Sequence, residues 1–80
     1  MIKILLKKED KPFNATTELT FDVTENGTSI RRFNNMDDGR EYDSIEKYDT
    51  SWKENIVRDF FITKVNVLIE DGYRVEDIQQ

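Results

Sequence analysis

Leu19, Phe21 and Val23 alternate with Thr20, Asp22 and Thr24, and just beyond them Asn26-Gly27 leads into a second short run, "SIRRFNN". Period-two alternation is the mark of a strand with one covered face. Asn-Gly is the strongest short-range hairpin signal, because both central residues of a type I′ turn need positive φ. A chain built around this hairpin folds as an antiparallel sheet. With the turn at Asn26-Gly27, Val23 faces Ile30 and Phe21 faces Arg32. That register sends Arg32 toward the core, a conflict that a bulge near Arg31 and Arg32 relieves by turning Phe33 inward.

Upstream, "MIKILLKK" sets Ile2, Ile4 and Leu6 against Lys3, Leu5 and Lys7, which reads as a first strand. "KEDKPFNAT" reads as a loop, since Pro12 cannot donate to a sheet ladder and Asn14 favours turns. Downstream, Asp38-Gly39 signals another turn, and "REYDSI" is an optional further strand. The expected sheet therefore has three or four strands.

"TSWKENIVRDFFITKVNVLIEDGY" closes the fold. Ser51 with Glu54 fits a capping box, and Gly72 followed by Tyr73 fits a left-handed helix stop. Trp52, Ile56 and Phe60 recur every fourth residue, and Val57, Phe61, Val65 and Leu68 follow the same period. A rival reading takes Phe61, Thr63, Val65, Val67 and Ile69 as one face of a strand. No breaker separates these residues from the helical pattern before them, so the expectation is one long helix over 52–71, about 30 Å in length. The tail "YRVEDIQQ" fits either a helical turn or a strand. The fold class that results is α+β: a small antiparallel sheet packed by one C-terminal helix, in a single domain over 1–80.

Eighty residues bury a small core, and 36% of them are hydrophobic against 36% charged. Without cysteine or histidine there is no disulfide framework, thiolate or imidazole chemistry. Ser29, Ser44 and Ser51 have no histidine to activate them, and the three glycines match no phosphate-binding or dinucleotide pattern. Lys64 lies inside an apolar stretch, where a stem packed on the helix flank with its amine in water outweighs a nucleophilic role. An EF-hand loop aligned on Gly39 puts Met36 at a ligand position and Ile45 in place of the bidentate glutamate. No enzyme, cofactor or metal is expected. The apolar run at the N-terminus is too short for a signal peptide, and no segment has the ~20 apolar residues of a membrane span, so the expectation is a cytoplasmic protein with no membrane partner.

Charge is uneven. Residues 1–11 carry four lysines against two acids, and residues 35–50 carry six acids against two bases, within a net charge of −5. Two binding readings follow. In the first, the chain is a small non-enzymatic protein-interaction module, with Ile62, Val65 and Ile69 as an apolar ridge that the sheet does not reach. That ridge is covered either by Phe13, Tyr73, Val75 and Ile78 of the same chain or by a partner, including a second copy joined through the helix. The acidic residues Asp37, Asp38, Glu41 and Asp43 complement a basic groove, as in an inhibitor that imitates nucleic acid. In the second reading Lys3, Lys7, Lys8, Lys11, Arg31 and Arg32 form a basic stripe for single-stranded nucleic acid, with Phe13 or Phe33 stacking on bases. The net negative charge disfavours it.

Overall fold

The structure is a computed structural model that describes residues 1–10 and 13–80. Its elements are β1 (Ile2–Asp10), β2 (Phe13–Thr24), β3 (Gly27–Met36), β4 (Glu41–Tyr48), α1 (Glu54–Glu70) and β5 (Arg74–Gln79). They build one antiparallel sheet of order β4-β3-β2-β1-β5 with the helix on one face. The α+β class stands, with five strands rather than three or four. "REYDSI" belongs to β4, and the tail becomes β5, paired with β1. The expected loop "KEDKPFNAT" shrinks, because Lys8–Asp10 continues β1 and β2 begins at Phe13. Lys11 and Pro12 lie outside the described residues.

The central hairpin forms, but its turn sits one residue earlier than Asn26-Gly27. Thr24 pairs with Gly27, so the two loop residues are Glu25 and Asn26. Among the described residues no non-glycine residue has positive φ, which rules out the type I′ turn; within this hairpin Gly27 carries the unusual angle, at φ 138. The Thr24 hydroxyl oxygen accepts from the Asn26 amide at 3.2 Å and supports this tighter start. Glycine is required at 27 for a second reason, since a Cβ there would stand 2.1 Å from the Tyr48 carbonyl oxygen. As a result Ile30 meets Phe21, not Val23, and Arg32 meets Leu19.

The bulge expected near Arg31 and Arg32 is absent, since β3 keeps unbroken register with both neighbours. Arg32 stays on the helix side and Phe33 on the other. The conflict is relieved by hydrogen bonding: Arg32 Nε and the fully buried Thr17 hydroxyl both donate to Asn34 Oδ1, at 2.9 and 2.8 Å.

Leu6, Leu19, Phe21 and Ile30 of the sheet meet Val57, Phe61, Val65 and Leu68 of the helix in one core. The rings of Phe21 and Phe61 lie 5.7 Å apart. The helix ends as expected: the Tyr73 amide donates to the Leu68 carbonyl and the Gly72 amide to that of Ile69, with Gly72 at φ 102, the Schellman arrangement. Its start differs. Ser51 does not cap; its amide and hydroxyl both donate to the Asp49 carboxylate, forming a turn that leaves Lys53 at the N-cap with no side-chain hydrogen bond. Trp52 therefore precedes the helix.

Seventeen residues give a helix of about 25 Å, against a longest molecular dimension of 44 Å. It lies over β2 and β3 and reaches β5, and meets β4 through Lys64–Glu46 and the Phe60–Tyr48 ring contact.

Candidate interaction site

The unoccupied space beside α1 is a groove of about 470 Å³ between the helix and β4. Register explains its walls. Pairing with β3 puts Tyr42, Ser44, Glu46 and Tyr48 of β4 on the helix side of the sheet, while the core seam Val57-Phe61-Val65-Leu68 turns Phe60, Lys64 and Val67 toward β4. Leu19, Ile30 and Arg32 contribute the floor. Tyr42 and Val67, at 58% and 57% exposure, are its most open apolar walls.

One ion pair bridges the groove. Lys64 Nζ lies 2.8 Å from Glu46 Oε1, and the Tyr48 hydroxyl donates to Glu46 Oε2 at 2.8 Å. The lysine, and secondly the tyrosine, hold the Glu46 carboxyl below the usual range; the same hydrogen bond raises the Tyr48 phenol. Lys64 lies on the helix flank as expected, but its amine pairs with Glu46 rather than standing in water alone. Beyond this bridge Tyr48, Trp52 and Phe60 make an aromatic cluster with centroid separations of 5.4, 6.0 and 6.3 Å. Trp52 and Phe60 stay substantially exposed.

The ridge expected from Ile62, Val65 and Ile69 divides. Val65 is 9% exposed and belongs to the core, because it falls four residues after Phe61 and three before Leu68 on the seam facing the sheet. Ile62 and Ile69 are exposed at 48% and 45%, on the flank away from β4. The tail does not close over them: Val75 and Ile78 lie in β5 and are themselves exposed, and only Tyr73 packs against the core. Conversely, Trp52, Ile56, Phe60 and Val67, which helical period groups with the sheet-facing residues, line the exposed flank.

The acidic residues do not form a free array. Asp38 pairs with Arg40 at 2.6 Å across the β3–β4 turn, and Asp43 receives both Nε and Nη2 of Arg31, at 3.0 and 2.7 Å. That contact lowers the Asp43 carboxyl and raises the Arg31 guanidinium. Glu41 shares the open sheet face with Asp43, while Asp37 sits in the turn. Among the described residues no cluster of three or more acidic side chains converges on one point.

The basic stripe is broken too. Strand alternation puts Lys3, Lys7 and Arg31 on the open face, where Lys3 and Arg31, with Glu18, Thr20 and Phe33, line a hollow of about 210 Å³. Lys8 and Arg32 point to the opposite face, where Lys8 reaches Asp71 at 3.5 Å and lies over the Tyr73 ring. Lys11 lies outside the described residues.

Sequence reasoning missed the groove because it located the surplus apolar surface on the wrong flank of the helix. The two tyrosines of "EYDSIEKY", at positions 42 and 48, share one strand parity and were the available signal. No family model, curated protein or solved structure matches this chain, and no helix among the described residues is long and apolar enough to cross a membrane.

Proposed function

We propose that this chain is a small non-enzymatic protein-interaction module whose partner seats apolar side chains in the groove between α1 and β4. The observation that carries the reading is the combination of Tyr42, Val67 and Phe60, all substantially exposed, along two adjoining depressions that share Glu46, Thr63 and Lys64, with the exposed Trp52 against Phe60 at one end. Aromatic residues beside a concavity are what binding hot spots are made of, because they bury large area with little loss of side-chain freedom. The bridging pair Lys64–Glu46 adds a polar centre that orients a bound segment. The acidic stretch contributes less than its composition implies, since Asp38, Asp43 and Glu46 are already engaged within the chain. A role as an acidic inhibitor of a nucleic-acid-binding protein would therefore act through apolar contacts first and charge second. Direct binding of single-stranded nucleic acid gains no support from a cation set divided between two faces.

The test is site-specific photo-crosslinking in lysate of the native host, treated with nuclease, with the photoreactive residue at Val67 or, as control, at Thr20 on the open face. One protein captured from Val67 and not from Thr20, and lost when Tyr42→Ala is added, is the expected result. Equal capture from both positions, or capture that depends on nucleic acid, contradicts the reading.

A further inference from the structure

A five-stranded open sheet has two edges, here β4 and β5, and they are built differently. β5 is short, is offset from β1 by a register shift at Leu5/Leu6, and carries Glu76 and Asp77 at its middle. Bulges, brevity and charge are the usual means of protecting an edge from pairing. Half the residues of each edge are charged, Glu41, Asp43, Glu46 and Lys47 in β4, so the difference lies in length and register: β4 has eight residues in unbroken register with β3, contains no proline, and presents Tyr42, Ile45 and Tyr48 among its side chains. Among the described residues no strand pairs with its outer edge, and α1 meets its face only through Lys64–Glu46 and the Phe60–Tyr48 contact.

We propose that β4 pairs antiparallel with β4 of a second copy, around a two-fold axis at Ile45. In that register Ile45 meets Ile45, Asp43 meets Lys47 of the second copy, Lys47 meets its Asp43, and Tyr42 meets its Tyr48. Every directly opposed pair from 42 to 48 is apolar, aromatic, of opposite charge, or a serine beside a glutamate. Cross-strand pairs of these kinds stabilise, and like charges placed opposite each other destabilise. Moving the axis to Glu46 opposes two glutamates, and moving it to Ser44 sets Asp43 against Ile45. On β5, an axis at Glu76 or Asp77 opposes an acid to itself, and an axis at Val75, although it opposes Arg74 to Glu76, uses only the first three residues of the strand and two side chains already paired within the chain. Strand length together with the pairing of charged and apolar side chains thus favours β4 with its axis at Ile45.

Opposed residues share a face in an antiparallel pair, so both helices lie on the same side of one continuous sheet. The two α1/β4 grooves then meet at the axis, each bounded by a tyrosine from the other copy. The interface is isologous, as a closed two-fold dimer requires. It is independent of whether the groove takes a further protein.

The chain has no cysteine, so Ile45→Cys introduces a single thiol at the axis. Opposed Cα atoms about 4.5–5.5 Å apart suit a disulfide, and Ile45 is half-exposed, so the substitution leaves the core intact. Ile45→Cys is expected to oxidise to a covalent dimer, while Ile78→Cys on β5 stays monomeric. By sedimentation equilibrium the parent chain is a reversible dimer, and Lys47→Asp raises its dissociation constant about tenfold or more, since two like-charge pairs are created. Asp43→Lys alone does the same, yet an equimolar mixture of the two variants recovers a heterodimer in which every 43–47 pair is again opposite in charge. Asp43→Lys also removes the partner of Arg31, so its folding is checked by circular dichroism; if it unfolds, the cysteine pair decides. A parent chain that is monomeric at every concentration, a mixture of folded variants that associates no better than its components, or equal cross-linking from Ile78→Cys overturns the proposal.

Discussion

At the scale of single residues, one step along the helix separates structure from surface. Leu68 is 5% exposed in the core and Ile69 is 45% exposed beside it. Leu68→Ala should cost about 2–5 kcal/mol, a large share of the ~4–12 kcal/mol expected for a domain of this size. Ile69→Ala should cost about 1 kcal/mol or less. Urea denaturation followed by circular dichroism measures both, and equal costs would mean that the helix is rotated from the position described. Val65 behaves as Leu68 does, which is why it leaves the expected ridge. The seam itself was legible in the spacing of Val57, Phe61, Val65 and Leu68. The division between seam and flank was not, because Trp52, Ile56, Phe60 and Val67 are as apolar as the residues that are buried, and period alone does not say where a small sheet ends.

At the scale of elements, turns and caps explain most departures from the sequence reading. Asn26-Gly27 correctly marks a hairpin, but glycine at the first paired position serves the chain better than glycine within the loop, because Tyr48 passes so close to it. Ser51 has the chemistry of a cap and is taken by Asp49 instead, a contact that lowers the Asp49 carboxyl. β5 is hard to read from six residues of which three are charged; Arg74, held by Glu76 at 2.8 Å and Glu9 at 3.1 Å, ties it to β1. Between α1 and β4 the only ion pair among the described residues is Lys64–Glu46. A carboxyl held below its unfolded value, about 4.3 for glutamate, favours the folded state above that value and ceases to do so as pH falls through its lower folded value. Trp52 fluorescence should therefore be steady from neutral pH down to the carboxylate range and shift to longer wavelength below it, as the neighbouring Tyr48–Glu46–Lys64 contact loosens. Glu46→Gln should shrink that acid step. An unchanged step in this variant would assign the transition to other carboxylates, such as Asp43 or Asp49.

At the scale of the whole molecule, a 17-residue helix is too narrow a cover for a five-stranded sheet. The helix packs mainly on β2 and β3 and touches β4 only through Lys64–Glu46 and Phe60–Tyr48, so exposed apolar side chains and a strand edge coincide on the same side of the protein. That an apolar surplus exists was readable from composition and helical period. Its location depends on the fifth strand, which widens the sheet on the β1 side and is the element least visible in the sequence. That coincidence of apolar side chains and strand edge predicts association along β4. Hydrogen–deuterium exchange of the full chain across a concentration series tests it most directly. Amides of residues 41–48 should gain protection as concentration rises while those of 74–79 do not; protection gained at 74–79, or nowhere, would contradict it.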